Sequence, residues 1–415
     1  MKLTRTMWPL FATVLAAALT AGAARAEEPA DLKEKVLKLN SITGDEPVAN
    51  KVRELVKDKA GTEKLLKTAE DMVKLNSKQF QYPGAVILAR SAAGLKNYDL
   101  SLRFFKLCGE IATKVKSASK MEEAYQGQII ILLEQKKYSE AEKVAQSFME
   151  LQGDEKLEEA KLGVVELLVT AKTRQGKITD AMKIVDALNQ EFKGEWYFTQ
   201  LKARVLFDAG KLEDSVKAYT ETLDLLSKAE RMKPAQQEAQ TNRIRYILSS
   251  VYVELNQIDK AAEQLQTLLK KKPDSPSFNN DLGYIWADHD MNLDESEKLI
   301  RKALDEDRKL RSKDKDLTKD EDKDKPEYLD SLGWVLFKKK QFAEAKKPLL
   351  EAVKDPDGGQ HIEIFDHLAD VHMALGEKAE AIAVWKKALD LDVSGKRDQK
   401  RQQEVVKKLK AAEGK

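Results

Sequence analysis

The sequence of 415 residues is poor in the side chains that build disulfides and metal sites. It contains one cysteine, Cys108, and four histidines. A single cysteine excludes an internal disulfide and any metal site made of several thiolates. Three histidines cluster, but His367 and His372 are five positions apart, whereas a zinc pair on a helix needs i, i+3 or i, i+4 spacing. We therefore predict no bound metal and no cofactor, and we expect Cys108 to lie in the core.

Catalytic motifs are also absent. The chain has no His-Glu-x-x-His pattern, no Gly-x-Ser-x-Gly pattern and no glycine-rich phosphate loop. The aspartate-rich segment 306–325 lacks the central glycine and the final glutamate of an EF-hand loop, so it does not indicate calcium binding. The sequence predicts a protein that is not an enzyme.

Long hydrophobic runs are missing as well. No stretch reaches the roughly 20 apolar residues that cross a bilayer. A shorter apolar run at 10–21 follows two basic residues and leads to a small-x-small sequence that ends at Ala26. This pattern predicts a signal peptide over 1–26, cleaved between Ala26 and Glu27. We expect a periplasmic or secreted protein with no integral membrane segment after cleavage; an uncleaved signal anchor is the alternative.

Neither sign of charge dominates. The chain has 72 basic and 70 acidic residues, and removal of 1–26 leaves 69 basic residues. A nearly neutral chain lacks the basic surface that displaces counterions from phosphate, so we predict no nucleic-acid partner. The segment 393–415 is the basic exception. We expect it to form a capping helix or tail that closes the helical array, with docking on an anionic surface as the alternative.

What the sequence does contain is an internal repeat. One pattern of small and large apolar residues occurs twice, 36 positions apart: Leu332, Gly333, Ala345, Leu349 and Ala352, then Leu368, Ala369, Ala381, Trp385 and Ala388. Each copy holds two clusters separated by a turn, which indicates two antiparallel helices that approach closely at the small residues. A period of this length is typical of stacked units that cannot bury their apolar faces alone.

The same offsets can be followed upstream. They fit around Leu248 and, with one residue inserted in the turn at 290–292, around Gly283. Weaker copies lie around Ala203, Leu168, Tyr125 and Leu88. Eight units result.

These residues resemble the tetratricopeptide repeat family, whose unit pairs a first helix bearing Leu-Gly and an aromatic with a second helix bearing Ala and a closing Pro. The resemblance implies an all-α fold, a right-handed α-solenoid of stacked antiparallel helix pairs. About eight such repeats would span 81–392, with a charged insertion at 306–325. Residues 27–80 would add N-terminal helices, with a degenerate repeat as one interpretation of them.

The resemblance also implies where a partner would bind. In this family several positions of the first helix line an inner groove. Carried over to this chain, they select Arg204, Phe207, Arg243, Tyr246, Asn280, Tyr284, Asp330, Trp334 and Phe337. Aromatic rings beside amide and charged groups suit a protein or peptide ligand. The alternative is that Tyr284, Trp334 and Phe337 pack between neighbouring units.

The sequence therefore predicts an exported scaffold or adaptor that binds a protein or peptide partner through this groove in an envelope assembly. The alternative is a structural or regulatory subunit of a larger complex that uses its convex or terminal surfaces and has no peptide groove.

Overall fold

A computed structural model describes residues 29–230, 232–314, 317, 322–393 and 395–414 of the chain. The expected signal peptide, with its cleavage site at Ala26 and Glu27, lies outside these residues. Within the described residues the chain forms twenty α-helices.

Three helices precede the first repeat: α1 (Pro29–Lys38), α2 (Asp45–Lys57) and α3 (Lys59–Asn76). Sixteen helices then follow as pairs: α4 (Tyr82–Gly94) with α5 (Tyr98–Lys114), α6 (Ala118–Glu134) with α7 (Tyr138–Met149), α8 (Glu155–Arg174) with α9 (Ile178–Glu191), α10 (Trp196–Asp208) with α11 (Leu212–Ser227), α12 (Pro234–Glu254) with α13 (Ile258–Lys271), α14 (Pro276–Asp288) with α15 (Leu293–Arg311), α16 (Pro326–Lys338) with α17 (Phe342–Ala352), and α18 (Ile362–Ala374) with α19 (Lys378–Leu389). The last helix, α20 (Lys396–Glu413), follows the eighth pair and is not part of a repeat. The predicted fold class, an all-α solenoid of stacked antiparallel helix pairs, is confirmed.

The described residues divide into two compact units, one that ends at Ala218 and one that begins at Tyr219, with the division inside α11. The core of the first unit includes Ile87, Phe104, Phe148 and Cys108. Cys108 is fully buried, as expected, and burial raises the pKa of its thiol. The second unit has its own cores, one of them built around Leu349 and Leu368.

All eight pairs turn in the same way. In the turn between α16 and α17, the amide of Lys340 donates to the carbonyl of Phe337 at 2.8 Å, and the amide of Gln341 donates to the carbonyl of Leu336 at 2.9 Å. This is the Schellman motif, which requires a residue with left-handed backbone at the first of these donors. That residue is Gly176, Gly210 or Gly376 in three pairs, Asn256 or Asp290 in two, and Lys96, Lys136 or Lys340 in three. The extra residue expected at 290–292 is present, since α15 begins three positions after Asp290.

The two helices of a pair approach closely where the sequence places glycine. A Cβ atom added at Gly333 would lie 2.4 Å from Leu349 Cγ, and one at Gly283 would lie 2.7 Å from Ile300 Cγ1. Leu349 and Ile300 are themselves fully buried. The glycines therefore act by removing a side chain at a helix contact, not by bending the backbone.

The charged segment 306–325 begins as helix. Helix α15 continues to Arg311, and α16 begins at Pro326. Arg311 donates to Asp307 at 3.0 Å and to Asp324 at 2.9 Å, and Lys325 Nζ lies 3.1 Å from Asp307. These ion pairs join the two ends of the segment.

Among the described residues, no helix combines the length and the apolar character needed to cross a membrane.

We expect Gly333→Leu to lower the free energy of unfolding by about 1–3 kcal/mol, because the new side chain would occupy the space of Leu349. The shift in thermal unfolding, followed by circular dichroism, measures the effect. Ala383→Leu, at an exposed position of α19, is the control and should change stability by less than about 0.5 kcal/mol. An unshifted melting curve for Gly333→Leu would contradict the helix contact.

Candidate functional site

Arg204, the charged groove candidate of the first unit, already has partners within the chain. Arg204 on α10 donates to Glu166 on α8 and, at 2.7 Å, to the hydroxyl of Thr170. Tyr197 donates to the same carboxylate. Phe207 is half-buried. The side chains of Arg204 and Tyr197 therefore connect the first helices of two neighbouring pairs.

Helix α12 of the second unit keeps an open face. Arg243, Tyr246 and Ser250 are exposed and share one side of the helix, since they lie three and four positions apart. The Tyr246 ring packs 5.6 Å from that of Phe278, and its hydroxyl donates to Asp281 at 2.6 Å. Tyr246 is the one exposed aromatic residue in the described part of the chain.

The candidates on α14 are less accessible than a groove position implies. Asn280 is buried; its amide nitrogen donates to Asp281 at 3.3 Å, and its Oδ1 atom has no partner among the described residues. Tyr284 is half-buried, and its hydroxyl donates to Glu363 on α18 at 2.8 Å.

The candidates on α16 are packed inside the second unit. Trp334 is 8% exposed; its indole stacks on the imidazole of His367 with ring centroids 3.9 Å apart, and its Nε1 donates to Asp288 at 3.0 Å. Phe337 stacks on Trp334 at 5.0 Å. Asp330 is buried, with Oδ1 2.8 Å from His367 Nδ1.

The open groove position assigned to Asn280, Asp330 and Trp334 is thus corrected, because all three residues are buried. Asp330 and Trp334 reach side chains on neighbouring first helices, His367 on α18 and Asp288 on α14. This is the packing alternative that the sequence left open for Trp334 and Phe337. Their role in partner binding stays a prediction.

Helix α20 contributes side chains to this group of contacts. Its cations reach the acidic side of α18: Arg397 and Arg401 donate to Glu363 at 2.8 and 2.6 Å, and Lys408 donates to Asp366 at 2.8 Å and to Asp370 at 2.6 Å. Trp385 donates to the fully buried Asp366 at 2.9 Å. We call this set the inner-face network: Tyr284, Asp288, Asp330, Trp334, Glu363, Asp366, His367, Asp370, Trp385, Arg397, Arg401 and Lys408.

Charge pairing shifts the pKa values within this network. Burial would raise the pKa of Glu363, but the positive charges of Arg397, His367 and Arg401 outweigh it and lower that pKa to about 2. Burial would lower the pKa of His367, but the carboxylates of Asp330 and Glu363 outweigh it and raise the pKa. The basic helix therefore neutralises acidic groups of its own chain.

The sequence contained a signal for this network that motif analysis missed. Glu363, Asp366 and Asp370 are spaced along one face of α18, and Arg397, Arg401 and Lys408 along one face of α20. Complementary charges on two helices that are separated in sequence only by α19 indicate that these helices contact each other. His372 lies next to the turn between α18 and α19, with Nδ1 2.6 Å from Glu377 Oε2.

None of the described His, Cys, Asp and Glu side chains form a group of three or more that could hold a metal ion.

Comparison with known protein families identifies the repeat. Models of the tetratricopeptide repeat match residues 246–310, from within α12 to the end of α15, and residues 362–392, which include α18 and α19. The chain contains tetratricopeptide repeats. Repeats of this family indicate a role as a scaffold for protein–protein interaction, and the fold is generally non-enzymatic.

Individual relatives of this tetratricopeptide repeat protein are distant. A TPR repeat-containing protein of Pseudomonas aeruginosa is 25% identical over 143 residues, which are 34% of this chain and 18% of that protein. The chain thus spans about a fifth of the length of this curated relative.

Solved structures show a similar level of divergence. A tetratricopeptide repeat protein from Parabacteroides merdae is 14% identical and covers 69% of this chain and 98% of its own, with a TM-score of 0.46. A human IFIT1 dimer with PPP-AAAA is 14% identical and covers 92% of this chain and 84% of its own, with a TM-score of 0.48.

We expect Glu363→Gln to cost roughly 2–3 kcal/mol of unfolding free energy at about pH 7, because it removes the counter-charge of Arg397 and one of the two carboxylates that pair with Arg401. A carboxylate whose pKa is lowered on folding stabilises the protein above its unfolded pKa. That contribution is lost as the pH falls from about 4.5 towards 2. The difference between wild type and variant should shrink over this window in urea unfolding followed by circular dichroism.

Glu380→Gln is the matched control for this measurement. Glu380 is exposed on α19, so its replacement should alter stability by less than about 0.5 kcal/mol at any pH. A Glu363→Gln deficit that stays constant between neutral and acidic pH would contradict the charge pairing.

Proposed function

We propose that this tetratricopeptide repeat protein is an exported, non-enzymatic scaffold that binds a protein or peptide segment on the exposed face of α12. That face consists of Arg243, Tyr246 and Ser250. It is the part of the predicted groove in the second unit where the structure leaves side chains open to a partner.

The exposed ring of Tyr246 is the observation that carries this proposal. The ring is 38% exposed, yet the contact with Phe278 and the hydrogen bond to Asp281 hold it in place. A rigid aromatic side chain offers apolar contact area at a small cost in conformational entropy, which is the property of residues that dominate binding energy at interfaces.

A neighbouring cation, Arg243, adds polar recognition. Arg243 lies one turn before Tyr246 on the same face, is exposed and has no ion-pair partner among the described residues. An arginine in this position can pair with a carboxylate or a backbone carbonyl of a bound segment. The preferred ligand is therefore a segment with an apolar residue next to an acidic one.

Site-specific photocrosslinking in the producing cell tests this face. A photoreactive amino acid at Ser250 should yield a crosslinked product, and Tyr246→Ala or Arg243→Ala in the same chain should reduce its yield at least about fivefold. Leu350→Ala on α17 is the control, because Leu350 is 39% exposed, almost the same as Tyr246. Undiminished crosslinking with Tyr246→Ala would reject the α12 face.

The same experiment separates the alternative function. A subunit that uses its convex or terminal surfaces should crosslink from position 350 and not from position 250. Such a result would support the structural or regulatory subunit and reject a scaffold that binds its partner on the α12 face.

Export has an independent test. When the complete chain is produced in a bacterium, we expect the purified protein to begin at Glu27, because the sequence at 24–26 fits signal peptidase. Intact-mass and N-terminal sequence analysis measure this directly. A protein that keeps residues 1–26 would contradict cleavage.

A further inference from the structure

Helix α20 has a second basic face that the inner-face network does not use. Lys400, Lys407 and Lys410 are exposed and have no ion-pair partner among the described residues. Lys400 and Lys407 lie two turns apart on one side of the helix, and Lys410 lies one turn further. The acids of α20 do not neutralise this face fully: Glu413 pairs with Lys386 at 2.9 Å, Asp398 lies 3.5 Å from His361, and only Glu404 remains.

Beside this face lies a cavity of about 410 Å³. Its apolar lining comes from Met373, Trp385, Ala411 and Ala412. Met373 is 38% exposed, and the orientation of the Trp385 indole is fixed by its hydrogen bond to Asp366. The cavity therefore presents apolar surface with a rigid wall.

A free cation stands at the rim of the cavity. Lys378, the first residue of α19, is exposed and has no ion-pair partner in the described part of the chain. The other charges at the rim, Asp370 and Lys408, pair with each other at 2.6 Å. The apolar cavity is thus flanked by unpaired positive charge, from Lys378 on one side and from the outer face of α20 on the other.

We propose that this surface, the C-terminal pocket, binds an acidic segment of a partner protein. One apolar side chain of that segment enters the cavity between Met373 and Trp385. Carboxylates on either side of it pair with Lys378 and with Lys407. The surface is separate from the α12 face of the proposed function and does not depend on it.

The chemistry of α20 favours a protein over an anionic membrane. A helix that lies on a bilayer inserts an apolar face among the lipids. The apolar edge of α20 is already used inside the protein, since Val405 is fully buried and Ala412 is 6% exposed.

Selection from a displayed library of random peptides on the immobilised full chain tests the pocket. Peptides that survive are synthesised, and their affinity is measured by fluorescence anisotropy. We expect a class with aspartate or glutamate around one leucine, methionine or phenylalanine. Its affinity should fall at least about tenfold with Lys378→Glu/Lys407→Glu and with Met373→Asp.

The double variant Lys64→Glu/Lys67→Glu is the matched control. It makes the same change of charge at exposed positions of α3, and it should leave the affinity of this class unchanged. Thermal unfolding shows whether each variant is folded. Peptides that lose affinity with Tyr246→Ala bind at the α12 face, and they are not evidence for binding at the C-terminal pocket.

Two results would overturn the proposal. One is a selection in which no acidic peptide depends on Lys378 and Lys407. The other is binding of the full chain to phosphatidylglycerol vesicles, but not to acidic peptides, with loss of vesicle binding in Lys378→Glu/Lys407→Glu.

Discussion

The close approach of two helices within each pair is the contact on which the rest of the structure depends. Gly333 lies against Leu349, and Gly283 against Ile300, with no room for even a methyl group. Because the helices meet this closely, each pair is a thin layer that can bury little apolar surface by itself. Stability must then come from contacts between layers, so the pairs are useful only as a stack.

Contacts between layers explain why several residues expected in a groove became structural. Neighbouring first helices are joined by Arg204 to Glu166 in the first unit and by Trp334 to Asp288 in the second. A side chain that bridges two layers stabilises the stack, but it is no longer free for a partner. The tetratricopeptide repeat positions that line a groove in the family are therefore divided in this chain between holding layers together and facing solvent.

Much of the fold could be predicted from the sequence, and less of the site. The small residues at Gly333, Ala345 and Ala352 set the register of the repeat, because a larger side chain at a close helix contact would be destabilising. All three residues are buried. The extra residue near Asp290 could be predicted for the same reason. Asn280 and Trp334 could not be assigned, since a position on a helix face does not tell how near the next helix lies.

The basic segment at 393–415 shows the same limit. Its composition indicated a helix, and α20 is that helix. Which of its cations are paired depended on the distance to Glu363 and Asp366, and these residues are about 35 positions away in sequence. The composition gives the number of charged residues, whereas binding of a partner depends on the charges that have no ion-pair partner within the chain.

The shared turn has a consequence for how the array opens. Three of the eight turns hold lysine in left-handed backbone, where a side chain costs about 1–2 kcal/mol and glycine costs almost nothing. Hairpins closed by Lys96, Lys136 and Lys340 therefore carry a local strain that those closed by Gly176, Gly210 and Gly376 lack. In a linear array each helix pair contacts only its neighbours, so differences in turn strain affect which pairs unfold locally first. The turns thus add a difference in local stability between the helix pairs to the one that comes from their buried contacts.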